Sequence, residues 1–246
     1  MSRIMPGRTS QLAFDFAWDA HLSLEDFRTG ANGEVLEAIR ALCAGSSAAS
    51  VYLFGGRGLG KTHLLQGACR LASEQGQTVA YLPLRRAVAW PVQAAEGLER
   101  MDLVAVDDAQ ALRGHRAWQE ALFHLYNRLR EQGGRLLLAG ELRPAELGLE
   151  LADLVSRLQW GLTLRLQELD DADKAALLSR RAAGRGLELS EELGAYLLAH
   201  YRRDMPGLFA LLDRLDAASL AEQRRLTVPF VKQVLGDGRE GWSGPL

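Results

Sequence analysis

The sequence is short of cysteine: Cys43 and Cys69 are the only two, too few for a disulfide framework and at a spacing that fits no zinc motif. They read as reduced, partly buried thiols. The five histidines (His21, His63, His115, His124 and His200) form no i, i+4 pair, which argues against metal chelation by histidine. Lysine is almost missing. Of 29 basic residues only Lys61, Lys174 and Lys232 are lysine, so a lysine inside a motif carries weight. The net charge of -2 provides no basic footprint for free-standing DNA binding. No apolar run approaches the roughly 20 residues of a membrane span. The first 20 residues contain no apolar signal core. These absences argue against a membrane protein and a secreted scaffold, and favour a cytoplasmic one. What is present is chain enough for a sizeable core: 246 residues, 48% hydrophobic and 24% charged.

Residues 1–20 read as a flexible tail. A helical pattern at 33–42 follows, and then apolar runs of strand length alternate with helical stretches. The strands are expected at 51–54, 78–82, 102–106, 135–139 and 162–166. The helices between them are expected at 61–75, 86–100 (broken), 117–132 and 150–160. Such alternation predicts an α/β fold, a parallel sheet covered on both faces. After residue 166 the pattern is helical throughout: 170–183, 190–202, 205–222 and 228–235. Ser190 and Thr227 are placed as N-caps, and Pro229 falls in a first turn, where it is tolerated. The expected domains are therefore a tail (1–20), an α/β domain (21–166), a helical lid (167–236) and a second tail (237–246). Trp90, Trp118 and Trp160 are expected to pack in the core or lid.

Gly55-Gly56-Arg57-Gly58-Leu59-Gly60-Lys61-Thr62 fits GxxxxGK[ST], between a strand and a helix as that motif requires. Glycines let successive N–H groups turn inward as an anion nest, and the helix N-terminus adds partial positive charge. Lys61 would reach the β- and γ-phosphates, and Thr62 would offer its hydroxyl to Mg²⁺. A second element is Leu103-Val104-Ala105-Val106-Asp107-Asp108, an apolar strand ending in two acids. Asp107 would serve Mg²⁺, and Asp108 would orient an attacking water. Together these imply nucleotide phosphate binding, but phosphate loops serve many functions.

A five-stranded core carrying these motifs, followed by a helical lid, resembles the AAA+ ATPases. More closely, the chain resembles the DnaA branch and its short Hda-like members. The resemblance rests on Phe27-Arg28-Thr29-Gly30-Ala31-Asn32, on Lys61-Thr62-His63-Leu64-Leu65 and on Phe123-His124-Leu125-Tyr126-Asn127. It rests also on Asp153-Leu154-Val155-Ser156-Arg157-Leu158 and Leu226-Thr227-Val228-Pro229-Phe230-Val231-Lys232. It spans about residues 11–236. The resemblance implies a negative regulator of replication initiation that sits on the DNA-loaded sliding clamp and triggers hydrolysis of ATP bound to DnaA. It implies Phe27 on the adenine side, ADP or ATP as the bound nucleotide (ADP favoured), and Mg²⁺. DNA would be met indirectly through the clamp, and direct DNA contact and self-association are left open.

Two features can be set against that role. Gln11-Leu12-Ala13-Phe14-Asp15-Phe16 is similar to the hexapeptide that docks on the clamp, with Gln11 leading and Leu12, Phe14 and Phe16 on one side of an extended peptide. The same residues could instead pack on their own domain. Arg157 falls at the arginine-finger position and would act in trans on the ATP of DnaA. The alternative for Arg157 is an i, i+4 ion pair with Asp153.

Two departures from the branch predict weak intrinsic hydrolysis. Pro206 stands where a lid arginine, the second sensor, is expected, and Glu141 stands near the first sensor position. The chain also stops at Leu246, soon after the lid, so no helix-turn-helix for origin sequences is expected. Arg28, Arg85, Arg86, Arg113, Arg202, Arg203, Arg224 and Arg225 could form a DNA-facing surface, but read more readily as a solvated face. Two alternatives stay open: a self-contained AAA+ ATPase resembling a helicase loader, and a non-catalytic, nucleotide-gated clamp adaptor.

Overall fold

The computed structural model describes residues 22–45, 49–201 and 203–236. The hexapeptide Gln11, Leu12, Phe14 and Phe16, the two tails and Arg202 lie outside them. Helix α1 (Gly33–Cys43) leads into strand β1 (Ser50–Phe54) and helix α2 (Lys61–Glu74). Strand β2 (Val79–Pro83) continues into the short helix α3 (Leu84–Ala87), and two 3-10 turns precede strand β3 (Leu103–Asp107). Then come α4 (Arg116–Glu131), β4 (Arg135–Gly140), α5 (Ala152–Gln159) and β5 (Leu162–Arg165). Four helices complete the chain: α6 (Asp171–Ala183), α7 (Glu191–His200), α8 (Met205–Glu222) and α9 (Val228–Leu235). This is an α/β fold followed by a run of four C-terminal helices.

The five strands are all parallel, in the order β2-β3-β4-β1-β5. The inner strand β3 is buried along its whole length, as its continuous apolar run requires. Edge strand β5 leaves Leu162 exposed. Helix α4 turns Trp118, Leu122, Leu125, Tyr126 and Leu129 inward, an i, i+4, i+7, i+8, i+11 stripe that packs against the sheet core. Trp118 is buried and Trp90 packs against the same core, but Trp160 is 57% exposed. The expectation that Trp160 would pack in the core or lid is therefore corrected: the chain leaves α5 at this residue and turns into the edge strand, and the ring lies outside the apolar core.

The described residues form two compact units. Residues 22–27, 34–45, 49–56 and 60–166 make the first; residues 28–33, 57–59, 167–201 and 203–236 make the second. In the second unit, Tyr201, Leu208, Leu211, Leu215 and Val231 lie in a core of their own. Its four helices each begin with a side-chain cap. Asp170 accepts from the Asp173 amide, Ser190 from Leu193, Asp204 from Gly207 and Thr227 from Phe230. The early residues belong to this unit through specific bonds. Arg28 pairs with Asp173 at 2.7 Å, and Asn32 exchanges hydrogen bonds with the backbone of Gln167. Gly58 meets the ring of Pro206, into which a Cβ at that position would run.

Candidate functional site

The parallel order brings the motif residues to one end of the sheet. In such sheets functional residues gather beyond the carboxyl ends of the strands. The phosphate loop follows β1, the paired acids end β3, and Glu141 follows β4, the strand between them.

Unlike the lid helices, α2 has no side-chain cap. Its N-cap, Gly60, is left-handed with φ 89° and caps the helix with no side chain. Gly60 has to be glycine twice over: for that φ, and because a Cβ would come within 2.7 Å of the Phe27 ring. Phe27 thus lies directly on the loop, edge-on to His63 with centroids 5.7 Å apart. His63 Nε2 is 2.7 Å from the carbonyl oxygen of Ser23, a packing role on α2. Lys61 is buried, and its ammonium donates to the carbonyls of Gly55 and Gly56, both at 2.7 Å. Arg57, Gly58 and Leu59 form the loop tip, with Gly58 left-handed at φ 77°.

Thr62 and Asp107 come together across 45 residues of sequence: the Thr62 hydroxyl donates to Asp107 Oδ2 at 2.6 Å. The Tyr81 hydroxyl donates to the same oxygen at 2.9 Å, and the Asp108 amide donates to Oδ1 at 2.8 Å. Burial first, and then the charge of Asp107, push the Tyr81 phenol well above its ordinary range. Tyr81 was not legible as a site residue. The β2–β3 register, which sets Tyr81 beside Ala105 and Pro83 beside Asp107, brings it there.

Asp108 leaves the strand in the left-handed region, φ 58°. Its carboxylate is engaged rather than open: Gln110 Nε2 donates to Oδ1 at 2.8 Å, and Arg85 Nη2 at 3.2 Å. Glu141 joins the same group. Its amide donates to Gln110 Oε1 at 3.1 Å, its Oε1 accepts from Gln110 Nε2 at 3.3 Å, and Arg85 Nη2 stands 3.9 Å away. Arg85, expected on a solvated face, is thus an ion-pair partner of the site acids. Arg28 and Arg203 are likewise paired, with Asp173 and Asp171. Pro206 lies in the first turn of α8 and has no charge to offer.

Arg157 contacts none of these residues. Its Nε donates to Asn127 Oδ1 at 3.0 Å, and its guanidinium stacks on Trp160, 3.9 Å from the ring centroid. Phe123, one turn before Asn127 on α4, lies 5.8 Å from the guanidinium. The alternative pairing with Asp153 does not form, and no carboxylate among the described residues pairs with Arg157. The asparagine and the indole hold the arginine instead, because α4 and α5 pack side by side.

Among the described residues no helix is long and apolar enough to cross a membrane. Comparisons with known proteins agree with this architecture. The family model of the bacterial DnaA ATPase domain matches residues 19–165, and that of the Hda lid domain matches residues 171–235. Domain III of the Thermotoga maritima replication initiation protein DnaA is similar in fold. Its TM-score is 0.78 at 23% identity, over 88% of this chain and 96% of that one. The replication initiator DnaA bound to AMPPCP and single-stranded DNA is similar at 26% identity and TM-score 0.69, over 82% of this chain and 68% of that one. AMPPCP-bound DnaA from Aquifex aeolicus is similar at 27% identity and TM-score 0.67, over 84% of this chain and 69% of that one. With well over half of its length matched by the first model and its lid by the second, the chain belongs to the bacterial DnaA ATPase family of AAA+ proteins, as an Hda-like homologue of DnaA.

Proposed function

We propose that this protein is a negative regulator of replication initiation that binds the sliding clamp and, through Arg157, stimulates hydrolysis of the ATP bound to DnaA. The observation that carries the reading is the state of Arg157. It is a cation without a carboxylate partner among the described residues, held in place by Asn127 and stacked on a half-exposed indole. A guanidinium fixed through Nε and one face keeps its terminal nitrogens for an outside anion. The charge developing on a transferred phosphoryl group is such an anion, and a finger supplied in trans is worth about 10³ to 10⁵ in rate in GTPases.

In this reading the protein's own phosphate loop holds a nucleotide, ADP in preference to ATP, as a conformational cofactor. The residues suit it. The phosphate loop leads straight into the N-terminus of α2, which has no side-chain cap, and Lys61 sits over the loop on two carbonyls. Phe27 lies against the loop, where it would flank the base. Two DnaA structures similar in fold carry AMPPCP. Thr62 and Asp107, hard oxygen donors 2.6 Å apart, suit Mg²⁺, which takes one or two such ligands and fills its shell with phosphate oxygens and water. The metal, when bound, neutralises phosphate charge. Tyr81 holds the Asp107 carboxylate in orientation.

Turnover of DnaA-bound ATP on DNA-loaded clamp is the test. Wild-type protein should accelerate it, and Arg157→Ala, with unchanged circular dichroism and ADP affinity, should return it to the rate of DnaA with clamp alone. Full stimulation by a folded Arg157→Ala protein would refute the finger.

A further inference from the structure

We propose that Arg130, Trp160 and Leu162 form a docking surface for an acidic protein face, with Arg130 drawing in the same ATPase whose nucleotide Arg157 serves. The inference rests on that reading of Arg157 and gives binding and chemistry to different cations.

The parts come from α4, α5 and β5, all in the first unit. Four large apolar side chains stand exposed among the described residues. Two of them, Trp160 at 57% and Leu162 at 41%, are two residues apart where α5 gives way to the edge strand. Arg130 lies in the last turn of α4, three residues after Asn127 and so beside it on the helix surface. Its guanidinium lies over the Trp160 ring, 5.4 Å from the centroid, and that of Arg157 lies over the same ring at 3.9 Å. One exposed indole thus carries two cations. No carboxylate among the described residues pairs with either, although Glu131 follows Arg130 in the chain and Asp153 stands one turn before Arg157.

Like charges gathered on one ring repel each other, a cost the free protein bears without return. An anionic partner turns that repulsion into attraction to both. Tryptophan and arginine are also the residues that dominate binding energy at protein interfaces. The two cations differ in one respect. Arg157 is fixed by the Asn127 hydrogen bond at 3.0 Å, as a group that has to meet a transition state must be. Arg130 is exposed, and its side chain makes no hydrogen bond among the described residues. A cation free to swing is poor at stabilising one defined geometry. It is well suited to attracting a negative surface across a Debye length, about 8–10 Å in ordinary buffers. Single-stranded nucleic acid is the other polyanion of matching charge. Stacking a base needs an open ring face, and here guanidiniums lie over the indole. The net charge of -2 adds no basic track for a phosphate backbone. The geometry therefore favours carboxylates, the aspartate and glutamate side chains around the partner's nucleotide site.

The experiment uses the full chain and measures affinity for ATP-bound DnaA, the maximal turnover of that ATP on DNA-loaded clamp, and affinity for ADP. For Arg130→Gln the expected result is affinity for DnaA reduced about threefold or more in about 50 mM salt, a difference that narrows at about 200 mM, with maximal turnover and ADP affinity as in wild type. Arg130→Glu should weaken binding further, and Arg130→Lys, which keeps the charge, should stay near wild type. Thermal midpoints of all three guard against misfolding. A smaller reduction, a loss that salt does not narrow, or a loss of maximal turnover at unchanged affinity overturns the docking role. So does weakened binding of single-stranded oligothymidine by Arg130→Gln with DnaA binding intact, which gives the surface to nucleic acid. Wild-type protein that leaves DnaA turnover unchanged defeats the finger reading, an outcome the turnover reports separately from the affinities that test Arg130.

Discussion

Lys61 and Trp160 illustrate how much depends on single side chains. Lys61 is one of three lysines and is buried with its ammonium on two loop carbonyls. A charged hydrogen bond to a phosphate is worth about 1.5–3 kcal/mol, so Lys61→Ala should weaken ADP binding by roughly ten- to a hundredfold. Titration with fluorescent ADP measures this, and affinity within twofold of wild type would contradict a phosphate role. Trp160 gives the guanidinium of Arg157 a flat seat at 3.9 Å. Exposed cation–π contacts are worth about 0.5–1 kcal/mol. Trp160→Ala should therefore cut stimulation of DnaA hydrolysis by about two- to fivefold while leaving ADP affinity unchanged. Unaltered stimulation would mean that Asn127 alone suffices. The two thiols play no such part. Both are fully buried, and burial pushes Cys43 up to about 11 and Cys69 up to about 12, so neither is a nucleophile at neutral pH.

Among the elements, the start of the β2–β3 pair is closed by side chains. Thr78 donates its amide and its hydroxyl to Asp102 Oδ2, each at 2.7 Å, just before the register that begins with Val79 beside Leu103. Those hydrogen bonds, with the Arg135 charge adding to them, hold the Asp102 carboxyl below its ordinary value. A carboxyl depressed in the folded state stabilises the fold at pH above its unfolded pKa of about 3.9. That contribution is lost as pH falls through the folded value. Below about pH 4 the wild type should thus lose stability more steeply than Asp102→Asn. Urea unfolding at stepped pH measures the two slopes, and parallel slopes would remove Asp102 from the account.

For the molecule as a whole, the proposed role divides between a nucleotide-binding unit, an arginine for another protein's ATP and the leading hexapeptide. Removing residues 1–17 should abolish clamp binding and clamp-dependent stimulation but leave ADP affinity as it is. Clamp pull-down and ADP titration on the same preparation check both, and retained clamp binding would displace Gln11, Leu12, Phe14 and Phe16 from the interface. Much of this organisation was legible in the chain. The phosphate loop is contiguous, β3 is an unbroken apolar run ending in its two acids, and Ser190 and Thr227 cap the helices where they were expected to. Local spacing and periodicity decide such features, since their partners lie within a turn or a strand. What only the tertiary structure decided is everything that depends on strand order and helix packing. It moved Arg85 from a solvated face to the side of Asp108, bonded Tyr81 to Asp107, and gave Arg157 to Asn127 in place of Asp153. It also left Trp160 on the surface. These pairs lie 23 to 30 residues apart, and no short-range rule reaches that far: each forms because two separately specified elements are packed side by side in the folded chain.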